Sequence, residues 1–162
     1  YAMQGSLVGS EMCIRDRSLP RIMCIEFISN IDFVLSKKKK HINWLMNVAN
    51  LEGYKIKNVV YVFLSDDELK SLNVKYLKHD YYTDVLSFND SIGKEIKGDI
   101  AISIQRVKEN AKLYSPSFDE ELRRVMGHGL LHFMNYKDST KEEIALIRAK
   151  EEKMLGLFHV KQ

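Results

Sequence analysis

Near the C-terminal end of the chain, HGLLHFMNYKD (128–138) carries two histidines four apart and an aspartate six residues further on. On a helix, His128 and His132 stand one turn apart, about 6 Å along the axis, and two imidazoles at that spacing can share one metal ion. Projected at 100° per residue, the helix over 118–134 gathers Leu122, Met126, Leu130 and Phe133 into one core-facing stripe. His128 and His132 fall on nearly the opposite side, with Glu121 and Arg124 one to two turns earlier. The chain must then turn back to supply a third ligand. After glycine, asparagine best tolerates the left-handed conformation that ends a helix, so Asn135 allows that return and Asp138 follows it. Two nitrogens and one carboxylate oxygen leave coordination open for water. That suits a catalytic metal, because a structural zinc would be closed by four ligands. The plain alternative is two helix histidines beside an ordinary loop acid, and the turn residue and the carboxylate at ligand spacing weigh against it. Gly129 stands where HExxH metalloproteases carry their general base. Any base here lies elsewhere, or a metal-held hydroxide acts alone.

The elements that must position these residues are legible upstream. IMCIEFIS (22–29) is apolar and β-rich, a first strand. KKKKHINWLMNVANLEG (37–53) reads as a helix, with Trp44, Leu45, Val48 and Leu51 at helical spacing and Gly53 to stop it. Its lysine run is a solvated helix start on the simplest reading. NVVYVFLS (58–65) is the clearest strand. Ser65 and Glu68 make a capping box that opens a helix to about Leu77. DVLSF (84–88) and DIAISI (99–104) read as a hairpin joined by a turn-rich stretch. QRVKENAKLYS is a helix ended by Pro116. Ser117/Glu120 and Thr140/Glu143 form two further capping boxes, opening the histidine helix and a last helix that Gly156 ends near Leu155. The expectation is an α+β fold: a single domain with a mixed sheet of about four strands packed with about five helices.

The chain has 162 residues, 45% apolar and 29% charged, enough for one domain with a real core. A net charge of +3 permits a nucleic-acid partner without arguing for one. No stretch approaches the roughly 18 uncharged apolar residues of a membrane span, so no membrane partner is expected. Cys13 and Cys24, without a CxxC, read as a reducing, cytoplasmic setting with no disulfides. YAMQGSLVGSEMCIRDRSLP (1–20) shows neither strand alternation nor helical period, and it is not a secretion signal. SLVGSEMCIRDR looks like adapter-derived text at the ends of assembled environmental sequences. Residues 1–20 are therefore expected to be a non-native leader, with residues 21–162 forming the domain and the native start near Met23.

Read with the upstream blocks, HGLLHFMNYKD resembles the motif HGxLHLxGYDH of the YbeY family of metal-dependent endoribonucleases. A second block of that family, TDVLSF, stands intact at 83–88, and a third, GDI-type, at Gly98–Ile102. Order and spacing agree from about Val59 to Leu155. The resemblance implies a hydrolase that cuts single-stranded RNA. It would act in ribosomal RNA maturation, at the 3′ end of the small-subunit RNA, and in ribosome quality control. The implied partners are ribosomal RNA and the ribosome or its small subunit. It implies one Zn2+ per chain, held by His128, His132 and Asp138, where another divalent metal would also fit. Histidine is the usual third ligand. Some bacterial branches of the family resemble this chain in having an aspartate there after a lysine, so Asp138 reads as a variant. Asn135 replaces the family's turn glycine, and Gly127 replaces a bulky aliphatic residue.

The family's RNA-engaging arginine corresponds to Leu77 here. Lys75, Lys78, His79 or Arg124 could supply that charge, and the wheel favours Arg124 as the catalytic cation beside His128 and His132. Thr83, Asp84 and Ser87 are candidates for the site wall, and Tyr81 and Tyr82 could stack on unpaired bases. Simpler roles exist for all of these: solubilising charge, capping, or a small strand residue. Three other functions compete with this one. His-x3-His-x5-Asp is also the spacing of metzincin-like metallopeptidases, against which Gly129 argues. A non-catalytic ribosome-associated factor would hold a structural metal or none. An iron oxygenase fits poorly, because its two histidines and carboxylate normally come from a β-barrel.

Overall fold

A computed structural model of the chain describes residues 24–114 and 117–160. The expected leader, Cys13 and Pro116 lie outside the described residues. In chain order come β1 (Cys24–Ser29), α1 (Lys38–Leu51), β2 (Lys55–Leu64), α2 (Asp66–Leu72), β3 (Val85–Asn89), β4 (Glu95–Ser103), α3 (Ile104–Tyr114), α4 (Phe118–Phe133) and α5 (Lys141–Leu157). This is the expected α+β domain. The four strands form one mixed sheet in the order β1-β2-β4-β3. β1 and β4 both run parallel to β2, and β3 closes the edge antiparallel to β4.

β2 lies in the middle and is buried on both faces, as its valine-rich sequence requires. Alternate side chains go to opposite sides. Val59, Tyr61 and Phe63 join the large core under α1, α4 and α5. Val60, Val62 and Leu64 pack with Leu69 of α2 and with Leu86 and Phe88 of β3. The Tyr61 hydroxyl donates to the Met126 carbonyl of α4 at 2.9 Å, so the central strand holds the helix that carries the histidines.

Several elements differ in detail from the sequence reading. The Ser65/Glu68 capping box forms in full, but α2 ends at Leu72 and continues as a π-helical turn over Asn73–Leu77. Leu51 is exposed, because the buried stripe of α1 runs through His41, Trp44, Leu45, Val48 and Ala49. Gly156 does not stop α5, which continues to Leu157. Phe158 then buries itself against Trp44 and His41, and that packing offsets the helical cost of the glycine. At Thr140 the hydroxyl accepts from the Glu143 N–H, while the Glu143 carboxylate accepts from Ser139, one residue before the cap.

Gly127, which the sequence left without an explanation, has a packing reason. A Cβ there would come within 2.0 Å of the Met154 methyl of α5. The missing side chain lets α5 lie close against α4, one turn from the residue that proves to orient His128.

Candidate metal centre

α4 begins at Ser117, whose hydroxyl accepts from the Glu120 N–H at 3.1 Å. The helix is buried more completely than the wheel suggested. Val125, Gly129 and Leu131 are enclosed along with the expected stripe, and so is Glu121 on the polar side. The sheet covers one side and α5 the other, leaving His128 and His132 partly open.

The helix ends where expected. Asn135 adopts φ 69°, its amide donates to the His132 carbonyl at 3.2 Å, and its side chain donates to the Tyr54 hydroxyl at 3.3 Å. The returning chain brings the Asp138 Oδ2 to 3.5 Å from His128 Nε2 and 3.4 Å from His132 Nε2. The two Nε2 atoms lie 2.9 Å apart. Ligands on a tetrahedral cation with bonds of about 2.0–2.2 Å stand roughly 3.3–3.5 Å from one another. The three sites fit a small cation with little adjustment.

Both rings are oriented from behind. His128 Nδ1 lies 2.6 Å from a Glu151 carboxylate oxygen, and His132 Nδ1 lies 3.0 Å from the Tyr136 carbonyl. With those partners each Nδ1 carries the hydrogen and each Nε2 presents a lone pair, an assignment that follows from the acceptors. Two lone pairs and a carboxylate oxygen converging without a cation would repel one another. Burial and the neighbouring His128 both lower the pKa of His132, favouring the neutral, ligating form.

Glu151 is held in turn. Arg124 Nη1 donates to it at 3.2 Å, while Nε and Nη2 of the same guanidinium grip the buried Glu121 at 2.9 and 2.6 Å. The Asp84 carboxylate stands 3.8 Å from Nη2. Burial pushes the Glu151 carboxyl up, but the hydrogen bond from His128 and the hydrogen bond and charge of Arg124 outweigh it and leave the pKa lowered. Burial also raises the pKa of Asp84, against the pull of Arg124. Behind His132, the Tyr136 hydroxyl donates to Glu52, which also accepts from Lys150 at 3.0 Å.

Arg124 therefore sits beside the histidines, as the wheel implied, but three of its nitrogens face carboxylates. Thr83 is half-buried, with its hydroxyl 3.5 Å from the Val85 carbonyl. Ser87 lies under α4, and its Oγ would be 3.3 Å from a Cβ at Gly129. Lys75, Lys78 and His79 occupy the segment leading to β3. Lys75 lies over the Tyr76 ring, the Lys78 amide donates to Val74, and His79 stacks on Tyr81; none of these contacts is with His128 or His132. Sequence reasoning missed Glu151, Glu52, Lys150 and the role of Tyr136. One signal for Glu151 was present: in α5 it lies between Ile147 and Met154 on the buried stripe, an acid where the pattern calls for an apolar residue.

Fold and site together define an α+β domain with a His-His-Asp centre able to hold one metal ion, built on a helix and the turn after it. The family model described as Endoribonuclease YbeY matches residues 26–159, and the chain belongs to that family. A relative named Endoribonuclease YbeY from Christiangramia forsetii is 44% identical over 138 residues, covering 85% of this chain and 96% of the relative. One of the same name from Flavobacterium psychrophilum is 46% identical over 138 residues, covering 85% and 99%. A solution structure of a Thermotoga maritima protein shares the fold, with a TM-score of 0.60 at 24% identity over 83% of this chain and 89% of that one.

Proposed function

We propose that this chain is a zinc-dependent endoribonuclease that hydrolyses unpaired RNA and acts in the cytoplasm on ribosomal RNA, at the 3′ end of the small-subunit RNA, in contact with the ribosome. The observation that carries the metal reading is the convergence of His128, His132 and Asp138 with each Nδ1 already taken by an acceptor. Two imidazoles and a carboxylate suit zinc among the common divalent metals. Bound there, the ion would polarise a phosphoryl oxygen and make its water more acidic. Its charge would be reduced by Asp138, an anionic ligand where most of the family has histidine.

The chain's own residues contribute orientation and charge. Glu151 and the Tyr136 carbonyl hold the two rings in the ligating tautomer. Arg124 holds Glu151, and its N–H groups left over from the carboxylates are available to a phosphate. Lys75, Lys78 and His79 form the approach for RNA, with Thr83, Asp84 and Ser87 as the wall between that approach and α4.

The peptidase reading loses support. A Cβ at Gly129 would stand 2.8 Å from the Ile100 side chain, so the position that carries the protease base faces the sheet.

The test is cleavage of an unpaired RNA beside a duplex of the same sequence, with metal quantified on wild type and on Asp138→Ala. The expected result is cleavage of the unpaired strand, lost with a chelator and restored by zinc, and weakened zinc binding in the variant. Equal, tight binding by both proteins would remove Asp138 from the ligand set. End analysis identifies the nucleophile, since a 2′,3′-cyclic phosphate excludes direct attack by water.

A further inference from the structure

The segment between α2 and β3 carries exposed apolar and aromatic side chains. Val74, Leu77, Tyr81 and Tyr82 are 44%, 40%, 55% and 46% exposed. They are interleaved with Lys75 and Lys78, and the one acid among them, Asp80, pairs with Lys70 at 3.4 Å. Aromatic faces set among unpaired cations suit an unpaired nucleic-acid strand, whose bases stack and whose phosphates carry charge.

The two tyrosines have different situations. The Tyr82 ring lies under Lys70 at 4.5 Å and Arg106 at 5.4 Å, and its hydroxyl donates to Asp67 at 3.2 Å. Tyr82 is thereby tied down as part of the scaffold. Tyr81 stacks on His79, with ring centroids 5.3 Å apart and planes 19° from parallel, and its hydroxyl meets His79 Nδ1 at 3.1 Å. The backbone beneath this pair is hydrogen-bonded to the preceding turn. Asn73, fully buried in the π-helical turn, donates from its side-chain Nδ2 to the Tyr81 carbonyl at 3.0 Å, and its main-chain carbonyl accepts from the His79 N–H at 3.2 Å. A buried amide thus holds the backbone beneath the exposed ring.

The position is also suitable. Three residues on, the Asp84 carbonyl accepts from Ser103, and the Asp84 carboxylate faces Arg124, one helical turn before His128. The chain from Tyr81 to Asp84 spans at most about 10 Å. A strand crossing the metal centre can reach the ring.

We propose that Tyr81, backed by His79, is a stacking platform for one unpaired base of the RNA substrate, a few nucleotides at most from the bond that is cut. This rests on the reading that the chain cleaves unpaired RNA. The experiment measures initial cleavage rates for wild type, Tyr81→Phe and Tyr81→Ala on short unpaired RNAs, each with one base replaced by an abasic nucleotide. Tyr81→Ala is expected to raise KM roughly 5- to 150-fold, the span of base–aromatic stacking, with kcat nearly unchanged. Tyr81→Phe keeps the ring and should keep the wild-type KM. One abasic position should raise the wild-type KM comparably and have no further effect on Tyr81→Ala. An unchanged KM in Tyr81→Ala, with wild type cleaving normally, overturns the platform and leaves the nuclease reading intact. A loss in Tyr81→Phe equal to that in Tyr81→Ala, or an abasic profile identical in wild type and Tyr81→Ala, also overturns it. Failure of wild type to cleave RNA overturns both.

Discussion

The metal centre and the segment from Val74 to Asp84 are neighbours built on opposite principles. Around the histidines the supporting groups have defined partners: Glu151 and the Tyr136 carbonyl take the Nδ1 hydrogens, and Arg124 joins Glu121 and Glu151. Along the segment, exposed rings and cations contact each other and solvent, and one buried asparagine holds the backbone. The first arrangement fixes geometry to a fraction of an ångström, which a metal demands. The second leaves surface free for a substrate of varied sequence. Substitutions in the centre should therefore change metal binding or folding, and substitutions in the segment should change substrate affinity alone.

The largest effect should come from His132→Ala, which leaves two ligands. Elemental analysis is expected to find little bound zinc, and RNA cleavage should fall to background. A variant that retains one equivalent and cuts normally would break the distinction between the two regions. Next comes Arg124→Ala. It leaves Glu121 buried without its cation, a change that costs about 3–5 kcal/mol. Denaturant unfolding measures this, and a loss below about 1 kcal/mol would mark the pair as an ordinary surface ion pair. Glu151→Ala should weaken zinc binding by roughly 10- to 100-fold, with Glu151→Gln losing less because it keeps an acceptor oxygen for His128. Competition with a chromogenic chelator resolves the order of the three proteins. In the segment, Lys75→Gln with Lys78→Gln should leave zinc affinity unchanged and lower the salt dependence of RNA binding, by a slope of up to about 1.4 for two phosphate contacts on a single strand.

The smallest effect concerns His41, away from both regions. Burial lowers its pKa below the ordinary 6.5, with the Arg123 charge acting in the same direction and the hydrogen bond to the Lys37 carbonyl opposing it. The unfolded chain therefore takes up this proton more readily than the folded one. The contribution is fully present above about pH 6.5 and is lost as the pH falls toward the lower folded value. Unfolding followed between pH 7.5 and 5 should show a shallower decline for His41→Gln than for wild type.

Much of the fold was legible because its signals are local. Valine-rich β2, the capping box at Ser65 and the apolar stripe of α4 each express a backbone period or a cap that a few adjacent residues define. The misread boundaries have tertiary causes. The stop at Gly156 was overridden by the burial of Phe158, and the single helix from Ser65 to Leu77 gave way to a π-helical turn around the buried Asn73. Gly127 looked like a defect in its own helix and is a packing requirement of the next one.

The sequence by itself determined which three side chains converge at the candidate centre. His128, His132 and Asp138 lie within eleven residues, where helix pitch and one left-handed asparagine leave the chain little choice of geometry. The tertiary structure alone decided what holds those side chains in place. Glu151 is 23 residues from His128 in sequence, and Glu52 is 84 from Tyr136. The tertiary structure also brought Glu151 and Asp84 to Arg124, whose other partner, Glu121, lies on its own helix. The physical reason is that short-range periodicity governs neighbours along one helix, whereas partners brought from distant elements depend on how whole faces pack.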